Sequence, residues 1–469
     1  MLAANAFRAT KTLVGRGTFV RCFSEGFPPY ILNAPATEIS SLNNGVRVAS
    51  EGGHGETATV GVWIDSGSRS ETDANNGVAH FLEHMTFKGT SKMSQQALEL
   101  EIENLGGHLN AYTSREQTVF YAQVFKDDVP RAVEILGDML LNPKLDEQAI
   151  EKERGVILRE LEEVSAITEE VVFDSLHETA FAGQGLGRTI LGPRENIASI
   201  TKDQLRDYID THYTGPRVVV AGAGAVDHAQ LADLADKHFG SLPSSPPAGK
   251  VVPTDTARFI GSELRYRDDT MSEAHVAVAV ESAGWTSPHA FPLMVMQTLL
   301  GSWDRLSSSG RNVNSELAQA AANGQLCHSF STFNTCYKDT GLFGVYFVAE
   351  PNKVQDMAFQ TMENLVRLCH NVTAEEVARA KSQLKANMLM QLDGSASTCE
   401  EIGRHLLTYG RRISPAEVFA RIDAVDVDSI NACARTFIDD QDPAVAAVGA
   451  VHELPDYNWW RRHTYWLRY

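Results

Sequence analysis

The chain repeats one order of hydrophobic segments, and this duplication limits the folds it can adopt. The segment HVAVAVESAG (275–284) matches TVGVWIDSGS in the first half, and 327–350 matches the predicted paired strands at 106–125. The segment 372–389 matches a long predicted helix that begins at Asp146. A period of slightly more than about 200 residues predicts two similar structural units.

A Pro- and Ser-rich stretch, SLPSSPPAGKVVPTDT (241–256), is the clearest linker in the chain. It predicts an N-terminal domain at 24–240 and a C-terminal domain at 257–469. The 469 residues suffice for two domains with full cores. Because 22% of the residues are charged and no apolar run approaches the roughly 18 residues of a membrane span, a soluble protein without a direct span is expected.

The first unit contains His80-Phe81-Leu82-Glu83-His84, which follows a polar loop ending at Gly77. On a helix, His80 and His84 share one face, as two ligands of one metal must. Glu83 lies on the adjoining edge, where a carboxylate could take a proton from water at the metal. This HXXEH order inverts HEXXH and marks a separate zincin class. The trio could also be a solvated helix face, but the apolar neighbours favour ligands, because unpaired His and Glu are costly to bury there.

Zinc requires a third protein ligand and an open position. The candidate is Glu160, in the predicted helix EKERGVILRELEEV, with Glu153 seven residues earlier on the same face. Taken alone, a long charged helix of this kind is more typical of a protein surface.

The second unit keeps the hydrophobic pattern and lacks these ionisable groups. Aligning the halves places Val295 and Met296 near the Glu-His pair, with Ala380 and Asn387 opposite the two acids of the long helix. Since the second unit does without those groups, the groups in the first unit are expected to serve chemistry.

The N-terminus has the composition of a mitochondrial transit peptide. Residues 1–23 carry four basic residues and no acid, and Arg21-Cys22-Phe23-Ser24 resembles a presequence cleavage pattern with the mature start at Ser24. A disordered basic N-terminus is the alternative. The net charge of −19 would become −23 after this cleavage. Such acidity repels nucleic acid and attracts basic peptides, although it can also serve solubility alone.

Cysteine usage agrees with a reducing compartment such as the mitochondrial matrix. The six cysteines are scattered and show no CXXC pairing. Neither a disulfide framework nor a cysteine zinc site is expected.

Four segments together resemble the pitrilysin and insulinase family of zinc peptidases. They are HFLEHMTFKGT, GGHLNAYTSREQTVFYAQV, ERGVILREL and the tail DYNWWRRHTYWLRY, and the similarity covers essentially the whole of 24–469. The resemblance implies an α+β fold of two homologous domains, each a mainly antiparallel sheet with helices packed on one face. The N-terminal domain would be catalytic and the C-terminal domain non-catalytic.

The resemblance also implies roles for individual residues. The zinc ligands would be His80, His84 and Glu160, with Glu83 as the general base and Glu153 as a supporting acid. The interval of 76 residues between His84 and Glu160 matches the family spacing. Glu170 and Asp174 match acids that bind the arginine of presequences, and Asn110 and Tyr112 match a substrate-binding edge strand.

The implied function is zinc-dependent removal of N-terminal presequences from proteins imported into the mitochondrial matrix. Its partners would be basic presequence peptides and an alpha subunit, equivalent to core protein 2 of respiratory complex III, that supplies a glycine-rich loop. The segment 301–316 has no glycine cluster, so an alpha subunit would still be required to supply that loop.

Two alternatives are open. The first is a structural core subunit of the ubiquinol-cytochrome c reductase complex, on the matrix side of the inner membrane beside other complex III subunits, with a vestigial metal site. The second is a free peptide-degrading enzyme.

Overall fold

The computed structural model describes residues 31, 34–253, 255–307, 313–392 and 394–465. The predicted transit peptide (1–23) and mature start at Ser24 lie outside these residues, as do 308–312 and the tail residues 466–469. In the described ranges, no helix combines the length and apolar character needed to cross a membrane.

Strands of the first half form one six-stranded sheet. They are β1 (Glu38–Ser41), β2 (Arg47–Gly52), β3 (Thr57–Ile64), β4 (His108–Thr113), β5 (Thr118–Phe125) and β6 (Val218–Gly224). Their order is β1-β2-β6-β3-β5-β4, and all neighbours are antiparallel except the parallel pair β2 and β6. An Asn-Gly turn joins β1 to β2, with Gly45 at a φ of 92° that favours glycine.

Local capping and breaker residues explain where several helices of the first half begin and end. These helices are α1 (Val78–Thr86), α2 (Gln95–Asn104), α3 (Val129–Leu141), α4 (Glu147–Ser165), α5 (Thr168–Ala180), α6 (Arg194–Ser199), α7 (Lys202–His212) and α8 (His228–Phe239). Ser94 caps α2, because its hydroxyl accepts from the Ala97 amide at 3.2 Å. Helix α3 ends at Leu141, directly before Asn142-Pro143.

The second half repeats this arrangement in a second six-stranded sheet. Its strands are β7 (Glu263–Arg267), β8 (Ala274–Ser282), β9 (Ser302–Asp304), β10 (Ser329–Cys336), β11 (Gly341–Ala349) and β12 (Ala444–Gly449). The order is β7-β12-β8-β11-β10-β9, and β7 and β12 form the parallel pair. The linker segment lies in the chain between the two sheets.

The helices of the second half occupy positions that the duplication predicts. They are α9 (Ala290–Leu300), α10 (Glu316–Gly324), α11 (Val354–Arg367), α12 (Ala374–Gln391), α13 (Ser395–Tyr409), α14 (Pro415–Asp423), α15 (Val427–Phe437) and α16 (Tyr457–Arg462). Helix α9 packs on α12 as α1 packs on α4. The predicted α+β class with two similar units is confirmed.

One helix of each half packs on the sheet of the other half. Val62 of β3 shares a core with Phe81 of α1, whereas Trp63 on the opposite face of β3 packs with Ile402 of α13. Conversely, Leu176 of α5 packs against the second sheet. The expectation of helices on one face therefore describes each half alone, and the second face of each sheet is covered from the other half.

Candidate metal centre

The turn before helix α1 is stabilised by hydrogen bonds to the start of the helix. Gly77 precedes the helix at a φ of 101°, where a Cβ would lie 2.6 Å from the Leu191 carbonyl oxygen. The buried Glu71 carboxylate accepts hydrogen bonds from the Gly77 amide (2.9 Å), the Ala79 amide (2.7 Å) and the Asn76 side chain (2.7 Å). These bonds satisfy amides that a helix N-terminus otherwise leaves unpaired. Burial nevertheless raises the pKa of Glu71 to about 7, against the opposing effect of those bonds.

Packing of α1 aims its histidines at α4. Phe81, Leu82 and Met85 are fully buried in the first core. His80 is buried and His84 half-buried on the side that contacts α4. The helix ends at Thr86, and Gly89 at a φ of 101° turns the chain shortly after it.

Glu160 on α4 meets both histidines. His80 Nε2 lies 3.5 Å from Glu160 Oε1, and His84 Nε2 lies 3.2 Å from Glu160 Oε2. One ligand atom from each of the three residues falls within 4.8 Å of the others, and in the described part of the chain this is the group of His, Cys, Asp or Glu that could hold a metal ion. Both Nε2 atoms and a carboxylate converge, which fits a tetrahedral zinc site with one open position.

Glu153 lies seven residues, or about two helical turns, before Glu160 on α4. Its Oε1 lies 2.9 Å from His84 Nδ1, and its Oε2 pairs with Lys88 Nζ at 3.0 Å. A carboxylate on the far ring nitrogen fixes the histidine tautomer and leaves Nε2 free to bind a metal. Burial would raise the pKa of Glu153, but the bonds from His84 and Lys88 hold it below its usual value.

The acids and imidazoles of the cluster shift one another's pKa values. Burial would lower the pKa of His84, yet its bonds to Glu153 and Glu160 raise it to about 9. Hydrogen bonds from His80 and His84 hold the pKa of Glu160 far below its usual value.

Glu83 stands beside the cluster and is not one of the three converging residues. Its Oε2 accepts a 2.5 Å hydrogen bond from the Thr113 hydroxyl at the end of β4. Its side chain is half-buried, so it remains partly accessible to water. This position suits a carboxylate that accepts and returns a proton.

The predicted substrate strand β4 is the edge of the first sheet. Its outer side has no neighbouring strand in the described residues, so its backbone could pair with an extended peptide. Asn110 is exposed there. Tyr112 is instead engaged with the second half, because its hydroxyl donates to Glu400 of α13 at 2.6 Å.

The two predicted arginine-binding acids differ in their surroundings. Glu170 is exposed on the first turn of α5. One turn later, the Asp174 carboxylate already accepts from Arg115 Nη2 at 2.6 Å and from the Thr189 hydroxyl at 3.1 Å. An arginine side chain from a substrate would have to share or displace the Arg115 contact.

Sequence reasoning missed four residues that support the site. They are Glu71, Lys88, Thr113 and Arg115. For Glu71, an acid shortly before a Gly-led helix start was a usable signal. The contacts of Thr113 and Arg115 join residues 30 and 59 positions apart, and no local pattern indicates them.

The second half lacks the equivalent chemistry at the positions the duplication predicts. Val295, Met296 and Ala380 are buried apolar residues, and Asn387 is exposed on α12.

Two imidazoles one helical turn apart, a carboxylate from a second helix and a glutamate directly before the second histidine define a metallopeptidase-type site of the inverted-motif class. A family model described as insulinase (peptidase family M16) matches residues 47–194, and one described as the peptidase M16 inactive domain matches 199–384. The chain belongs to this insulinase family of peptidases.

Curated relatives match over nearly the whole chain. The protein named mitochondrial-processing peptidase subunit beta is 56% identical in Bos taurus and 54% in Homo sapiens, in each case over 93% of this chain and 89% of the relative. An Arabidopsis thaliana protein named as probable subunit beta is 51% identical over 94% of this chain and 83% of its own. A chain of complex III2 from Candida albicans with Inz-5 bound aligns with a TM-score of 0.80 at 26% identity, covering 92% of this chain and all of that one.

Proposed function

We propose that this protein is a zinc metalloendopeptidase subunit that removes N-terminal presequences from imported mitochondrial proteins. The observation that carries the proposal is the convergence of His80, His84 and Glu160 next to Glu83, which among the described residues occurs in the first half alone. The names of relatives that are 51–56% identical support the substrate class.

Zinc fits the residues present. Two imidazole nitrogens and one carboxylate are ligands that zinc accepts in catalytic sites, and Glu153 supplies the carboxylate that orients His84. When bound, zinc would supply Lewis acidity that polarises the scissile carbonyl and acidifies water.

Residues of the chain then transfer the proton. Glu83 would take a proton from the attacking water and hand it to the leaving amine. The Thr113 hydroxyl holds one oxygen of Glu83, which leaves the other free for this transfer. His84, held by Glu153, keeps the ligand face aligned while the proton moves.

Substrate would lie extended along the edge strand β4 and pair through its backbone near Asn110. Glu170 and Asp174 would select an arginine by charge-assisted hydrogen bonds. The net charge of −19 favours approach of a basic peptide. Tyr112 would act indirectly, by joining β4 to α13.

We further propose that the enzyme works with an alpha subunit in the mitochondrial matrix. Membership of complex III on the matrix side of the inner membrane is supported by the likeness to a complex III2 chain. The chain would divide into a catalytic domain (24–240), a linker (241–256) and a non-catalytic domain (257–469), after loss of residues 1–23.

Purification of the native protein with its partners, followed by assay on a fluorescent presequence peptide, tests the proposal. Cleavage that a chelator abolishes and zinc restores is the expected result. A matched peptide with its arginines replaced by glutamine should be cleaved far more slowly.

The same experiment separates the alternatives. Co-purifying cytochromes without any cleavage would establish the purely structural core role instead. Broad cleavage in the absence of an alpha subunit would identify a free peptide-degrading enzyme.

A further inference from the structure

A cavity of about 670 Å³ lies in the second half, where the duplication places the counterpart of the metal cleft. Helices α9, α12 and α13 and strand β10 form its walls. Its size is within the roughly 300–1,000 Å³ typical of small-molecule sites. Nothing in the proposed peptidase reaction uses this space.

Two arginines give the cavity its charge. Arg404 on α13 stacks its guanidinium over the Trp285 ring at 5.3 Å, and its Nε is buried without a hydrogen-bond partner among the described residues. Arg379 on α12 donates to the Asn314 carbonyl at 2.8 Å. No described carboxylate forms an ion pair with either arginine. A buried donor of this kind is costly unless something satisfies it.

Each of the two carboxylates on the cavity wall pairs with an arginine that does not line it. Glu376 pairs with Arg367 at 3.0 Å, and Glu401 pairs with Arg412 at 2.6 Å. Burial and the nearby Arg412 and Arg404 lower the pKa of His405, another wall residue, to about 3. Arg379 and Arg404 are therefore the two charged groups on the wall that no described carboxylate pairs, in a chain whose net charge is −19.

The rest of the wall offers hydrogen bonds rather than competing charge. Gln297, Asn334, Gln383 and Asn387 present amides, and the buried Thr332 hydroxyl has no partner among the described residues. Such groups can bind the oxygens of an anion while the arginines supply the charge.

We propose that this cavity binds a small organic anion that carries phosphate or carboxylate groups. The duplication would thus have produced two clefts of opposite preference. The metal cleft carries acids that suit basic peptides, and its counterpart carries two arginines that form no ion pair with a described carboxylate and that suit anions.

Titration calorimetry of the full mature protein with ADP and, separately, with citrate tests this inference. Saturable binding of at least one probe, weakened by added salt, is expected, and the better probe tells phosphate from carboxylate preference. Arg404→Gln should weaken binding about tenfold or more, since a charge-assisted contact is lost. Arg411→Gln is the matched control, because Arg411 pairs with Glu417 outside the cavity, and it should leave affinity nearly unchanged.

Gln383→Trp provides a second variant that need not disturb the fold, since Gln383 is exposed on α12 at the cavity wall. It should block the anion and leave presequence cleavage intact. Absence of saturable binding of both probes, or binding that neither variant weakens, would overturn the inference. The inference would also be overturned if Gln383→Trp abolished the binding of a basic presequence peptide.

Discussion

The Glu83 carboxylate directly precedes His84 on α1 and is bound by Thr113 rather than by the three converging residues. Substituting Glu83 by glutamine removes the proton acceptor and keeps the size and the Thr113 contact. We expect turnover to fall by about 10²–10⁴ while bound zinc stays at one per chain. Steady-state kinetics and elemental analysis measure the two quantities. Glu160→Gln should instead lose metal and activity together, and full activity in Glu83→Gln would reject the base assignment.

Glu153 would act on a bound metal only through His84, whose Nδ1 it contacts. Glu153→Gln leaves a neutral amide opposite His84 Nδ1 and Lys88, so the imidazole is less basic and less firmly oriented. Zinc affinity should fall by about 10–100-fold. Competition with a chromogenic chelator measures it. The control is Glu151→Gln on the same helix, an exposed residue that pairs with Arg154; an equal loss there would show that charge on α4, rather than this contact, matters.

At the scale of helices and strands, substitutions at two glycines test how tightly α13 packs on the first sheet. A Cβ on Gly403 would lie 2.1 Å from Trp63 Cδ2, whereas a Cβ on the exposed Gly155 of α4 would meet nothing within 4 Å. Gly403→Ala should destabilise the protein by about 1–3 kcal/mol through overpacking. Gly155→Ala should stabilise it by about 0.5–1 kcal/mol, because alanine is the better helix former. Chemical denaturation measures both, and equal effects would mean that α13 does not pack tightly there.

Local signals explain why many elements could be predicted from the sequence. Ser94 and Asn142-Pro143 mark helix ends whatever the tertiary structure, and the spacing of His80, His84 and Glu160 indicated the metal cluster. Contacts between side chains that are far apart in the sequence leave no such local pattern. The bond from Tyr112 to Glu400 spans 288 positions, so the sequence could not reveal that a predicted substrate residue joins the two halves.

For the molecule as a whole, the exchange of α5 and α13 makes each sheet's second face depend on the other half. The two halves should therefore lose structure together, although the duplication gives each its own sheet. The burial that follows from this packing also encloses His177 and His405, and burial lowers the pKa of both imidazoles. His212, buried in the first half, behaves in the same way.

These histidines predict how stability depends on pH. Burial and the Arg217 charge lower the pKa of His212 to about 3, and its Nδ1 accepts from Arg217 Nη1 at 2.7 Å. The unfolded chain, with a histidine pKa of about 6.5, binds more protons than the folded protein below that pH. Stability from His212 is thus present above pH 6.5 and is lost as the pH falls toward 3, by about 1 kcal/mol between pH 7.5 and pH 5.5.

His212→Gln removes the titrating group and keeps a carbonyl oxygen for Arg217. The free energy of unfolding should then fall by about 1 kcal/mol less than in the unmodified protein over that interval, as urea denaturation at several pH values would measure. His54→Gln, at an exposed turn, should leave the slope unchanged. Metal release on acidification acts equally in all three proteins, so it cancels from the comparison. An identical slope in His212→Gln would mean that this imidazole can take up a proton in the folded chain.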